Sequence, residues 1–186
     1  MKYEPLIEDT YYHIYNCGNN KEDIFIEEEN YAYFLSLIKK HLLDVSDILS
    51  YCLLKNHFHL LIKTKINVGS KNISQQFSNL FNAYAKAINK KYNRTGSLFK
   101  DRFSRIKIIN EDYLKSLIVY INTNPVHHNF TDDFSTYKYS SYTSIISDKP
   151  TLLLRTFVID LFEDKENFKY VHNNKQAKIL KELLLE

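Results

Sequence analysis

Cysteine is scarce in this chain of 186 residues: Cys17 and Cys52 are the whole supply. Two thiols at that spacing supply neither a disulfide framework nor a CxxC metal knuckle, and both are read as reduced. No apolar run approaches the length of a membrane span. The first ten residues carry Glu4, Glu8 and Asp9 and no signal-peptide core, so a cytoplasmic protein without membrane association is expected. Internal repeats and low-complexity segments are absent too. Glycine and proline number three each, which makes Gly18, Gly96, Pro125 and Pro150 the natural punctuation of the chain. With 44% hydrophobic and 25% charged residues, what remains suits one well-buried core.

The net charge of +3 is modest, but its distribution is uneven. Between residues 86 and 107, Lys86, Lys90, Lys91, Arg94, Lys100, Arg102, Arg105 and Lys107 face only Asp101, a local net charge of +7. Tyr92, Phe99 and Phe103 are interleaved with them. Cations that release counterions from phosphates, beside aromatics on which bases stack, are the footprint of a nucleic-acid partner; a solvated helix face is the plainer reading.

Hydrophobic periodicity organises the rest. Tyr11 to Cys17 is rich in aromatic and β-branched residues and reads as a strand that ends at Gly18-Asn19-Asn20. A helix is expected from Glu27 to about Leu43, with acidic residues at its start and Lys39, Lys40 and His41 near its end. Ile48–Leu54 and His57–Lys63 form a hairpin around Lys55-Asn56. A second helix spans Ile73 to Tyr92. Leu98 to Ile109 is expected as a basic strand, and Asn110 caps a third helix that Pro125 should end. The order β-α-β-β-α-β plus a helix predicts an α+β fold, an antiparallel sheet covered on one face by helices. A boundary near residue 150 would divide residues 1–150 from a helical extension, 151–186, which ends in an amphipathic run from Gln176 to Leu185.

One constellation carries chemistry. Side chains alternate along a strand, so His57 and His59 point the same way while Phe58 turns to the other face. On the helix after Asn110, Tyr120 and Asn124 are four apart and share a face, so a metal held by Asn124 would lie one turn from a phenol. Two imidazoles and one amide oxygen leave positions open for water and substrate, as a catalytic ion needs. The oxygen donor and a phosphate partner favour Mg²⁺ or Mn²⁺, although imidazoles also suit Zn²⁺. Such an ion would polarise a phosphate oxygen while the phenol attacks phosphorus and a 3′ oxygen leaves. Spacing alone does not choose the nucleophile among 15 tyrosines: Tyr84, Tyr92 and Tyr113 fit apolar helices equally well.

Five stretches in order, YHIYNCGNN (12–20), YCLLKNHFHLLI (51–62), TGSLFKDRF (95–103), YINTNPV (120–126) and YSSY (139–142), resemble the IS200-like, single-tyrosine transposases, and more narrowly the REP-associated tyrosine transposases. The resemblance covers about residues 10–145. It implies a ferredoxin-like fold in which His57 and His59 form the HUH metal pair, Asn124 is a third ligand and Tyr120 is the nucleophile. It implies single-stranded DNA, often beside a hairpin, as partner, which agrees with the basic segment, whose Lys90, Lys91, Arg94, Lys100, Arg102, Arg105 and Lys107 are the candidate contacts; the sequence leaves the active unit open between a monomer and a homodimer. Cys17, Lys55 and His127-His128 depart from the pattern, which bears on DNA preference more than on chemistry. The alternatives are a domesticated hairpin-binding protein without turnover and a metal-dependent phosphoesterase that uses water as nucleophile.

Overall fold

The computed structural model describes residues 5–174, so the amphipathic run expected over 176–185 lies outside the described residues. Four antiparallel strands form one sheet in the order β2-β3-β1-β4: β1 is Tyr11–Cys17, β2 Ser46–Leu54, β3 His57–Thr64 and β4 Ser104–Ile108. The helices are α1 (Glu28–Leu42), α2 (Ser70–Lys91), α3 (Glu111–His127), α4 (Tyr142–Ile146), α5 (Arg155–Asp160) and α6 (Lys165–Asn174). Among the described residues no helix is long and apolar enough to cross a membrane. The chain is α+β in the expected order of elements.

Helices cover both faces of the sheet, not one. Alternation along the strands splits the apolar residues into two cores. Tyr12, Ile14, Phe58, Leu60 and Ile62 pack with Phe34 of α1 and Phe77, Phe81 and Tyr84 of α2. Leu49, Cys52, Leu54 and Leu61 face the other way, onto Leu117, Ile118 and Ile121 of α3. Val158, Phe162 and Phe168 from the segment after residue 150 join this second core. It is this second face that receives His57 and His59. The one-sided expectation missed it because α3 is buried nearly all round over residues 117–125, including the polar Asn122, Thr123 and Asn124.

Two boundaries differ from the sequence reading, each for a visible reason. Only residues 104–108 form β4. Residues 98–103 follow the end of β1 through bonds from Asn19 N to Leu98 O (2.9 Å) and Lys100 N to Cys17 O (3.0 Å). Leu98, Phe99 and Phe103 are all buried in the first core, so the segment cannot keep a period of two. Asn110 caps α3 as expected, its side chain accepting from Tyr113 N at 2.8 Å. Pro125, however, lies inside α3. The missing N–H costs one bond near the end of the helix, and the last turn closes past it through His128 N to Asn124 O (3.1 Å) and Phe130 N to Pro125 O (2.8 Å). The stop is Asn129, whose φ of 57° reverses the chain.

The position of α3 is fixed by a buried polar network. The Asn122 side-chain oxygen accepts from Ser141 Oγ (2.8 Å) and Ser50 Oγ (3.3 Å), and its Nδ2 donates to His172 Nε2 (3.1 Å). His172 Nδ1 in turn donates to Phe168 O at 2.7 Å, which fixes the tautomer. Four elements thus meet on one amide: α3, β2, the Ser140-Ser141 stretch and α6. That stretch runs along the outer edge of β2, with Leu53 N donating to Tyr139 O (3.0 Å) and Ser141 N to Tyr51 O (2.9 Å).

Candidate active site

The two-residue turn at Lys55-Asn56 sets His57 opposite Leu54 and starts β3 with its histidines facing α3. His57 and His59 are 5.3 Å apart between ring centroids and nearly perpendicular, at 88°. Tyr120 comes down from α3 with its ring 5.7 Å from that of His59. One turn further along, Asn124 places its side-chain oxygen 3.3 Å from His57 Nε2. The structure therefore brings together His57, His59, Tyr120 and Asn124, four side chains separated by up to 67 positions in sequence. His59 and Asn124 are fully buried and Tyr120 nearly so; His57 keeps a solvent-accessible edge.

The donor set fits a divalent cation. His57 Nδ1 donates to Asn56 Oδ1 at 2.7 Å, so the neutral ring keeps a lone pair on Nε2. That lone pair meets the oxygen of Asn124, not its amide hydrogens, and Asn124 Nδ2 has no partner among the described residues. Burial, and then the charge of His128, push His57 down to about 4 against the hydrogen bond with Asn124, which raises it. Burial likewise holds His59 well below the usual histidine value, reinforced by His13, His57 and His128, and lowers His13 to about 3. The imidazoles are neutral at pH 7, the form a metal ion binds. Among the described residues no three His, Cys, Asp or Glu side chains converge on a metal position; the further oxygen beside the His57–His59 pair is that of the Asn124 amide.

Several residues at the site carry no spacing signal in sequence. His13 on β1 contacts His59 directly, with Nε2 to Nδ1 at 2.9 Å. Tyr15 lies over both rings, at centroid distances of 4.8 and 6.2 Å. His127 stacks on Tyr120 at 6.1 Å and reaches Thr123 Oγ1 at 3.1 Å, while His128 packs edge-on against His57 at 4.5 Å. Strand parity could have placed His13 on the face of the HxH pair, since Tyr11, His13 and Tyr15 alternate with Tyr12 and Ile14.

The basic segment divides. Lys91 is ion-paired with Glu27 and Glu29, and Arg94 with Glu22 at 2.5 Å, where α2 meets α1 and the turn after β1. Lys90 is exposed on the same part of α2, beside the groove lined by Glu29, Tyr33 and Ile88. Arg105 and Lys107 pair with Ile14 and Tyr12, which face the first core, and Arg105 lies 4.3 Å over the ring of Phe103. Lys100 and Arg102 are exposed in the loop bound to Cys17, the residue opposite His57 in the β1–β3 register. Of the seven cations, these two border the histidine end of the sheet.

A search of curated proteins finds no match. Among solved structures, a REP-associated tyrosine transposase bound to a REP hairpin superposes with a TM-score of 0.64 at 15% sequence identity, over 81% of this chain and 88% of that one, a likeness of fold. The family model described as "Transposase IS200 like" matches residues 7–124, the segment that runs from β1 through both histidines to Tyr120 and Asn124. This chain belongs to the IS200-like transposase family.

Proposed function

We propose that this transposase cleaves and rejoins single-stranded DNA next to a hairpin, with Tyr120 as nucleophile and His57, His59 and Asn124 as ligands of Mg²⁺ or Mn²⁺. The observation that carries the reading is the convergence of those four side chains on one buried point at the sheet–α3 junction. A cation held there would neutralise and polarise a non-bridging oxygen of the scissile phosphate. Tyr120 Oη attacks phosphorus, loses its proton, and becomes the 5′-phosphotyrosine as the P–O3′ bond breaks. The departing 3′ oxygen takes up a proton and leaves as a free 3′-OH. The phosphotyrosine retains the energy of the broken bond, so attack by another 3′-OH restores the phosphodiester and the tyrosine without an external energy source.

Water exclusion favours this course over hydrolysis. The Tyr120 ring lies between His59 and His127, and the packing of α3 leaves the nucleophile little exposed surface. Lys100 and Arg102, at the His57 end, are suited to hold the phosphates that flank the reacting one.

The test mixes the protein with labelled single strands drawn from the DNA flanking its own gene, in Mn²⁺, and resolves the products on a denaturing gel. A protein–DNA adduct is expected. Cleavage without an adduct would assign the attack to water, and binding without cleavage would make the chain a hairpin-binding protein.

A further inference from the structure

His13 is the buried titratable group nearest the site that the chemistry above does not use. It has no exposed surface and so cannot touch DNA. Its place follows from register: β1 sets Tyr15 directly opposite His59 and His13 opposite Leu61, so His13 is the diagonal neighbour of His59 on the α3 face of the sheet. The two rings are nearly parallel, at 18°, with His13 Nε2 2.9 Å from His59 Nδ1. Tyr15 covers the pair from the next same-face position on the strand, two residues on.

This contact makes little sense as packing alone. His13 Nδ1 has no hydrogen-bond partner among the described residues, a cost that an apolar side chain would not incur at a position flanked by Leu61 and Ile106. The pair also has two proton arrangements. If His13 Nε2 carries the hydrogen, His59 must hold its own on Nε2, which then cannot bind a cation. If His59 donates from Nδ1, its Nε2 is a lone pair.

We propose that His13 is the positioning residue of the metal site: it accepts the Nδ1 hydrogen of His59 and thereby fixes that ring with its Nε2 lone pair toward the cation. The inference rests on the reading of His57 and His59 as ligands. It gives each ligand its own orienting acceptor, Asn56 for His57 and His13 for His59.

Two measurements on the full chain decide it. Mn²⁺ affinity is measured for wild type, His13→Phe, His13→Gln and the His57→Ala/His59→Ala double variant. The Phe variant should bind about 10–100-fold more weakly, the range for loss of an orienting partner, and the Gln variant, whose amide oxygen can accept from His59, should recover most of the loss. Wild-type affinity in His13→Phe, or equal losses in both His13 variants, would overturn the inference and leave the metal site standing. Affinity that survives the double variant would overturn the site, and this inference with it. Should His13→Phe not fold, long-range ¹H–¹⁵N NMR of the wild type with Mg²⁺ gives the answer directly: His59 is expected protonated on Nδ1, and a hydrogen on His13 Nε2 would overturn the proposal.

Discussion

His57 sets its Nε2 3.3 Å from the side-chain oxygen of Asn124, while its other nitrogen is bound to Asn56. If these two groups hold the cation as proposed, metal and catalysis should fall together while DNA binding does not. Either His57→Ala or His59→Ala, or EDTA, is expected to abolish adduct formation and leave most of the hairpin affinity, measured by gel shift. Asn124→Ala should be milder, because water can replace a neutral ligand, and higher Mn²⁺ should restore part of its activity. Asn56→Ala should raise the Mn²⁺ needed for half-maximal cleavage by about tenfold, through loss of the His57 orientation.

Tyr120→Phe removes one oxygen from a residue otherwise held by its neighbours, so the thermal midpoint should move little while the denaturing gel loses its adduct band. Tyr113→Phe should keep the band. Seven residues earlier on α3, Tyr113 lies about 10 Å along the helix axis from Tyr120. An adduct that persists in Tyr120→Phe would move the nucleophile elsewhere.

The two cations at the histidine end and the paired cation at the α1 end should behave differently toward DNA. Lys100→Ala with Arg102→Ala is expected to reduce the magnitude of the log–log salt slope of single-strand binding by about 1.4, at roughly 0.7 for each phosphate left without its cation. Lys91→Ala, which breaks ion pairs with Glu27 and Glu29, should leave the slope unchanged. Equal slopes for the two sets would place the strand elsewhere.

Acid should weaken the fold through His172. Burial lowers its value from 6.5 to about 4, so between those limits the unfolded chain takes up a proton that the folded one refuses. Stability is therefore full above about pH 6.5 and falls as pH drops toward 4, by about 1.4 kcal/mol per pH unit for each such proton. Burial at His13 and His57 acts in the same direction. Urea titrations in EDTA should show the decline, and His172→Gln should flatten it by one proton.

The strands and helices were legible from aromatic and β-branched runs bounded by turn residues in 11–17 and 57–63, and from apolar threes and fours in α1 and α2. The HxH pair and the Tyr120–Asn124 turn were legible as well, since each depends on spacing within one element. What could not be read depends on register between elements. His13 meets His59 only because β1 pairs with β3 in one alignment, and Asn122 finds Ser50, Ser141 and His172 across three other segments. The segment 86–107 looked like one basic surface because Glu22, Glu27 and Glu29, which neutralise part of it, lie more than sixty residues earlier. Pro125 misled because a proline within the last turn leaves only one carbonyl without its bond.

The helix that carries Tyr120 is enclosed over 117–125, with the sheet beneath it and α6 and the Phe134–Thr136 turn around it. Its central amides should be among the slowest in the molecule to exchange with deuterium, opening only when the whole fold opens. The proposed strand transfer must nevertheless release one DNA end and admit another. With α3 enclosed in this way, the proposed exchange of strands would fall to the torsions of the Tyr120 side chain and to the loops at the histidine end, with α3 a fixed post around which the DNA changes places.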